Sequence, residues 1–315
     1  MHAAIVDGPG LPPRFGEFDE PVAGPNEVLI SVTASALSPL ARGRASGTHY
    51  SSEAHFPFVP GVDGVGRLED GRRVYFLLPR APFGAMAERT VVGNGRWFEL
   101  PDEISDTRAA LIANPGMSSW AALTERAHIR QGESVLVNGA TGASGQLAVR
   151  IARHLGAAKV IATGRNAAML ERLGADATIV LGDDSERLEA ALVPHFERGI
   201  DIVLDYLWGP SARSILVAGA KAGPDGRPIR FVQIGSMGGA EISLPAAVLR
   251  SSSIEMRGSG LGSVGLERLV AAIRDVIGAA AAIGLDLTFE PVPLRDVAAG
   301  WPLSHGSERV VFTVG

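Results

Sequence analysis

Residues 134–149, SVLVNGATGASGQLAV, decide the fold. Ser134, Val135, Leu136 and Val137 make a short apolar run rich in β-branched side chains, the pattern of a buried strand. Asn138, Gly139, Ala140, Thr141, Gly142, Ala143, Ser144 and Gly145 break that run, and Leu147, Ala148, Ile151, Ala152 and Leu155 then recur at helical spacing until Gly156. A turn without Cβ atoms lets backbone N–H groups approach a ligand, and the helix N-terminus adds partial positive charge. A diphosphate suits such a place. The spacing Gly139-x-x-Gly142-x-x-Gly145 departs from the usual G-x-G-x-x-G, so the stretch needs support from its neighbours in the chain.

That support is a second apolar strand, residues 159–163, ending in Gly164-Arg165-Asn166. Dinucleotide folds place the residue that reads the adenosine ribose at this point, about twenty residues beyond the turn. An acid there would hold the 2′-hydroxyl of NAD. Arg165 instead offers a planar guanidinium that matches a phosphate, which points to NADP(H), with a preference of roughly ten- to a hundredfold for one charge-assisted contact.

Composition narrows the rest. With 315 residues, 46% hydrophobic and 20% charged, the chain has the make-up of an ordinary two-domain globular protein. A net charge of −5 offers no broad basic field for nucleic acid. No cysteine is present, which excludes disulfides, thiolate chemistry and a cysteine-ligated zinc. The first ten residues do not read as a signal peptide, and the longest apolar stretch, residues 276–285, is about half a membrane span, so a cytoplasmic location is expected.

Residues 1–115 show short β-rich segments (3–6, 27–34, 66–68, 73–77 and 88–92) separated by Pro/Gly turns. Helical stretches are predicted at 106–113 and 118–127. From there strands (134–137, 159–163, 178–181, 200–204, 230–234, and a sixth near 253–257) alternate with helices (146–155, 166–173, 185–192, 211–218). This is the pattern of a doubly wound parallel sheet. After a long helix at 266–280, strands at 288–293 and 310–314 return to the β texture. The expected architecture is therefore α/β: a β-rich unit made from both chain ends (1–115 and 285–315), with a Rossmann nucleotide domain (116–284) inserted between them.

Several separate segments, in order, resemble the medium-chain dehydrogenase/reductase superfamily, and within it the zinc-free quinone oxidoreductases and NADPH-dependent enoyl reductases. They are Pro60-Gly61-Val62-Asp63-Gly64-Val65-Gly66, Asn114-Pro115 with Ser118-Ser119-Trp120, the turn at 138–145, residues 201–205 with Gly209, Gln233-Ile234-Gly235, residues 257–262, and Pro293-Leu294-Arg295-Asp296-Val297 with Arg309-Val310-Val311. The resemblance implies a GroES-like fold for the β-rich part. It implies that Thr141, Gly142, Ala143, Ser144 and Gly145 lie along the diphosphate and that Gly164, Arg165 and Asn166 surround the 2′-phosphate. Asp205, Ile234, Gly235, Gly260 and Leu261 would line the nicotinamide side, with Ser118 where the family often has threonine. Zinc members carry a histidine and a glutamate in the segment matching residues 60–66, preceded by a cysteine. Val62 and Asp63 stand there in this chain, so the resemblance implies no metal. It also implies a homodimer, for which residues 240–244 are a plausible edge strand.

Without a Lewis acid, the chemistry least demanding of the protein is NADPH-dependent hydride transfer to a quinone or an activated C=C such as an enone. The candidates for contact with the reacting oxygen lie in residues 38–50, SPLARGRASGTHY: Tyr50 first, then Arg42, Arg44 and His49. Ser38-Pro39 replaces the family's Asn-Pro at the start of that loop. His49, Glu53, His55 and Asp63 form a loose set of possible metal ligands. Trp208 would wall the substrate pocket or pack in the core. A short-chain reductase is excluded, because Tyr50, Tyr75 and Tyr206 are followed four residues later by Ala54, Pro79 and Pro210 rather than lysine. An NADPH-binding sensor or scaffold without turnover, and a zinc-free alcohol or carbonyl reductase, are the alternatives.

Overall fold

The computed structural model describes residues 1–48, 52, 55–303 and 309–315. Chain order gives β1 (His2–Ile5), β2 (Arg14–Glu17), β3 (Glu27–Ala36), β4 (Asp63–Arg67), β5 (Arg73–Leu77), β6 (Arg89–Gly93) and β7 (Trp97–Glu99). The alternating region supplies β8 (Ser134–Asn138), β9 (Lys159–Gly164), β10 (Ala177–Val180), β11 (Ile202–Asp205), β12 (Ile229–Gln233) and β13 (Ile254–Gly258). Two last strands follow, β14 (Phe289–Pro293) and β15 (Arg309–Thr313).

The chain folds into two compact units, Met1–Asn114 with Ile273–Gly315, and Pro115–Ala272. Both ends of the chain thus meet in one unit. There β15 pairs antiparallel with β3 in a seven-stranded sheet of order β14-β15-β3-β4-β5-β7, with β6 also on β3. The second division falls inside the helix Leu266–Ala279 rather than beyond residue 284.

The other unit holds a six-stranded parallel sheet of order β10-β9-β8-β11-β12-β13. Strand order runs outward one way from β8 through β9 and β10, then the other way from β11. Strand order therefore reverses at the boundary between β8 and β11, and the carboxyl ends of those two strands are where sheets of this topology bind ligands. Leu136, Ile161, Val203 and Phe231 of the strands pack with Leu188, Leu192 and Phe196 of helix Ser185–Glu197 and with Ile215 and Leu216 of helix Gly209–Ala222. Burial on that scale favours folding by about 1.5–3 kcal/mol for each large apolar side chain. No helix among the described residues is long and apolar enough to cross a membrane.

Two local expectations are corrected. The separate helices predicted on either side of Pro115 form one helix, Asp106–Ala121, which continues as π-helical turns over Ala122–Ala127. Leu111, Ile112, Ala113 and Ala121, Ala122, Leu123 are all buried, so packing on both sides carries the helix through the proline. Residues 240–244 form no strand: Ile242 and Leu244 face the apolar cluster and Glu241 and Ser243 face solvent, yet the segment pairs with no strand among the described residues. The sheet edge on that side is β13.

In the unit made from both chain ends, β4 begins with a buried carboxylate. Asp63 Oδ2 accepts from the Tyr75 hydroxyl (2.7 Å) and Oδ1 from Asn114 Nδ2 (3.4 Å). Burial pushes the Asp63 carboxyl up to about 6, and Tyr75, the buried Arg309 guanidinium and Asn114 pull it back only in part. Between about pH 4 and 6 the folded protein keeps a proton that the unfolded chain has released, so stability falls as pH rises through that window and is level above it. The change is on the order of 3 kcal/mol. Denaturant titrations at a series of pH values are expected to show this slope in the wild type and its loss in Asp63→Asn; an unaltered slope in the variant would contradict the assignment.

Candidate functional site

The turn after β8 is shaped by three glycines with different tasks. Gly139 has φ +88°, a conformation that suits glycine alone, and its N–H and that of Ala140 both donate to the Thr163 carbonyl (3.1 and 2.7 Å), latching the turn onto β9. A Cβ on Gly145 would lie 2.3 Å from the Gly139 carbonyl oxygen, so glycine there lets the helix Ala143–His154 press against the strand it follows. A Cβ on Gly142 would meet nothing nearer than 3.5 Å. Gly142 is the N-cap and, as a glycine, provides no side-chain cap for the N–H groups at the positive end of this helix. Thr141 leans on Gly164 at the end of β9, where a Cβ would fall 2.6 Å from its Cγ2.

Beyond Gly164, Arg165 is exposed and makes no hydrogen bond or ion pair among the described residues. Asn166 turns its side chain to capping: Oδ1 accepts from the Met169 N–H (3.0 Å) at the start of helix Ala167–Arg172. Gly164, Arg165 and Thr141 thus lie at one end of β8 and β9.

Asp205 ends β11 beside Asn138, and it is fully buried. Its carboxylate accepts from Asn138 Nδ2 (2.7 Å) and from the N–H groups of Leu207 and Trp208 (3.1 Å each). Burial raises its pKa, and these three bonds offset part of the rise. Its backbone carbonyl accepts from Ile234 and Gly235 (2.7 and 3.1 Å), which brings the turn after β12 alongside. Asp205 therefore organises the loops around it with its carboxylate turned inward. Gly260 and Leu261 follow β13, in a turn where Ser263 Oγ accepts from the Gly260 N–H (2.8 Å). Ser118 is half-buried, donating to the Pro115 carbonyl (2.9 Å).

Sequence reasoning missed the polar network beneath the turn. Thr163 Oγ1 donates to Asn138 Oδ1 (2.7 Å), and Asn138 Nδ2 donates to Asp205 and to Ser211 Oγ (3.0 Å). Its one signal was that Asn138, Thr163 and Asp205 are each the polar residue closing an apolar strand. The buried pair Ser119 and Tyr206 went unremarked as well, their hydroxyls 2.7 Å apart.

On the proposed substrate side, Tyr50, His49 and Glu53 lie outside the described residues. Arg42 sits in helix Pro39–Ser46, which Ser38 caps, and its guanidinium lies over the Trp301 ring, 5.5 Å from the centroid, and donates to the Trp301 carbonyl. Its pKa is lowered by burial. No group of three or more His, Asp or Glu side chains that could hold a metal occurs among the described residues, and Asp63 is engaged with Tyr75. The Trp208 ring packs in the core, 6.2 Å from Phe231.

A family model described as zinc-binding dehydrogenase matches residues 143–279. "Probable NADPH-dependent quinone reductase tdiC" of Emericella nidulans is 31% identical and aligns over 96% of this chain and 96% of its own length. The quinone oxidoreductase of Homo sapiens is 27% identical over 78% of this chain and 76% of its own. The quinone oxidoreductase from Thermus thermophilus, solved also in complex with NADPH, superposes with a TM-score of 0.79 at 28% identity, covering 99% of this chain and 100% of that one.

The glycine geometry separates folding from binding. Gly145→Ala is expected to cost about 1–3 kcal/mol by overpacking, whereas Gly142→Ala stays within about 0.5 kcal/mol of wild type yet loses dinucleotide affinity. Thermal denaturation and calorimetric titration of the two variants check this, and equal stability losses would contradict it.

Proposed function

We propose that this chain, which belongs to the medium-chain dehydrogenase/reductase superfamily and to its quinone oxidoreductase branch, is an oxidoreductase that uses NADPH to reduce a quinone or an enone without a catalytic metal. In this reading Pro115–Ala272 is the nucleotide domain and the unit built from both chain ends is the catalytic, GroES-like domain.

The residues present fit the coenzyme. The uncapped first turn of helix Ala143–His154, with open space at Gly142, would take the diphosphate on backbone N–H groups. The observation that carries the reading is Arg165, an exposed cation without a partner among the described residues, at the end of β9, where it would pair with the 2′-phosphate. Ile234, Gly235, Gly260 and Leu261 would border the nicotinamide. When bound, NADPH supplies a hydride. The chain's own part is to orient the two reactants and to hydrogen-bond the substrate oxygen as it gains charge. With Arg42 held by Trp301, Tyr50 is the proposed donor to that oxygen.

The metal-free reading is supported by the absence of cysteine and by the residues where zinc members have ligands: Val62 has no donor atom, and Asp63 is buried against Tyr75. A cytoplasmic homodimer completes the proposal. Strand β13 closes one edge of the parallel sheet and leaves Met256 exposed, which supports pairing through that edge.

NADPH consumption with para-benzoquinone, phenanthrenequinone and a short enone panel tests the function. Turnover is expected to survive dialysis against a chelator. NADPH binding without turnover on any of them would favour a sensor or scaffold, and aldehyde-dependent NADPH loss would favour a carbonyl reductase. In the same assay Arg165→Ala should raise the NADPH KM at least about tenfold while NADH use changes little. An equal loss with both coenzymes would contradict the phosphate assignment. Sedimentation of the wild type is expected to give a dimer, and a monomer at all concentrations would remove that part.

A further inference from the structure

Taking the NADPH reading as its premise, we infer that Tyr206 and Ser119 are positioning residues for the coenzyme's diphosphate. Their hydroxyls form a relay that ends on the peptide group joining Ser144 to Gly145, in the first turn of helix Ala143–His154.

The order of the relay follows from counting hydrogens. Ser119 is fully buried, and its Oγ lies 2.7 Å from the Tyr206 hydroxyl, 3.0 Å from the Ser144 carbonyl and 3.3 Å from the Pro115 carbonyl. It has one hydrogen to give, and both carbonyls can only accept. Were that hydrogen directed at Tyr206, neither carbonyl would receive it. Tyr206 therefore donates to Ser119, and Ser119 donates to Ser144, the nearer of the two carbonyls. Burial holds the Tyr206 phenol far above its ordinary pKa, with Ser119 and Ser118 offsetting part of the rise, so it remains a donor throughout the working pH range.

The far end of the relay is where the anion would bind. The Ser144 carbonyl and the Gly145 N–H belong to one conjugated amide, so a hydrogen bond received at the oxygen makes the N–H a stronger donor, by roughly 10–30% for each bond in such a chain. Gly145 is already fixed against the Gly139 carbonyl and Ala140, so its N–H has a defined direction. Tyr206 is itself tied to the same turn, since its N–H donates to the Asn138 carbonyl (3.1 Å). Sharpened direction and increased polarisation both act on diphosphate binding. Neither touches the 2′-phosphate, which belongs to Arg165.

Calorimetric titration of the full chain with NADPH and with 2′-AMP, which has the 2′-phosphate and no diphosphate, separates these contributions. Tyr206→Phe and Ser119→Ala are each expected to weaken NADPH about three- to tenfold, in line with one hydrogen bond, and to leave 2′-AMP affinity unchanged. In steady-state kinetics the loss should appear in the NADPH KM rather than in kcat. Because the two groups act in series, the double variant should bind NADPH no more weakly than Ser119→Ala. Unaltered NADPH affinity in both single variants would overturn the inference, as would 2′-AMP weakening in step with NADPH. Should Ser119→Ala fail to fold, Tyr206→Phe, which keeps the ring, decides alone. A wild type that binds neither ligand would overturn the NADPH reading itself, and the inference with it.

Discussion

One amide side chain, that of Asn138, joins the ends of three parallel strands, and the site is built on that junction. Its oxygen receives the Thr163 hydroxyl of β9 and its nitrogen reaches the Asp205 carboxylate of β11. All three residues are fully buried, where an unmet polar group would cost about 1–3 kcal/mol, so the network is stable only with each member in place. Strand order reverses at this junction, and the carboxyl ends of β9, β8 and β11 are thereby held in register where the coenzyme is proposed to bind.

From Asp205 the constraint spreads outward. Its carboxylate fixes the N–H groups of Leu207 and Trp208, and Trp208 takes φ 57° and ψ −153°, a backbone region that is almost exclusively glycine's. Such a conformation costs on the order of 1–3 kcal/mol, and the hydrogen bonds to Asp205 together with ring packing on Phe231 offset it. The buried carboxylate thus sets the shape of a loop. The charges available to a ligand are of the other sign, an uncapped helix terminus and an exposed guanidinium. This arrangement favours an elongated polyanionic ligand over a neutral one.

Local pattern carried much of this. The strand, glycine turn and helix at residues 134–149 follow from apolar runs and spacing, and the same spacing placed Arg165 just beyond the end of β9, where the structure has it. What the sequence hid depends on partners far away along the chain. Asn138 meets Thr163 and Asp205 across 25 and 67 residues, and Arg42 is held by Trp301 across 259. The continuous helix through Pro115 is a tertiary effect of the same kind, in which burial outweighs local propensity, while residues 240–244 keep an alternating pattern but find no strand to pair with among the described residues.

A crystal structure of the protein with NADPH tests the central claim most directly. The account expects the diphosphate within hydrogen-bonding distance of the N–H groups opening helix Ala143–His154, and the 2′-phosphate against the Arg165 guanidinium. A crevice left empty at saturating coenzyme, or a 2′-phosphate directed away from Arg165, would contradict it.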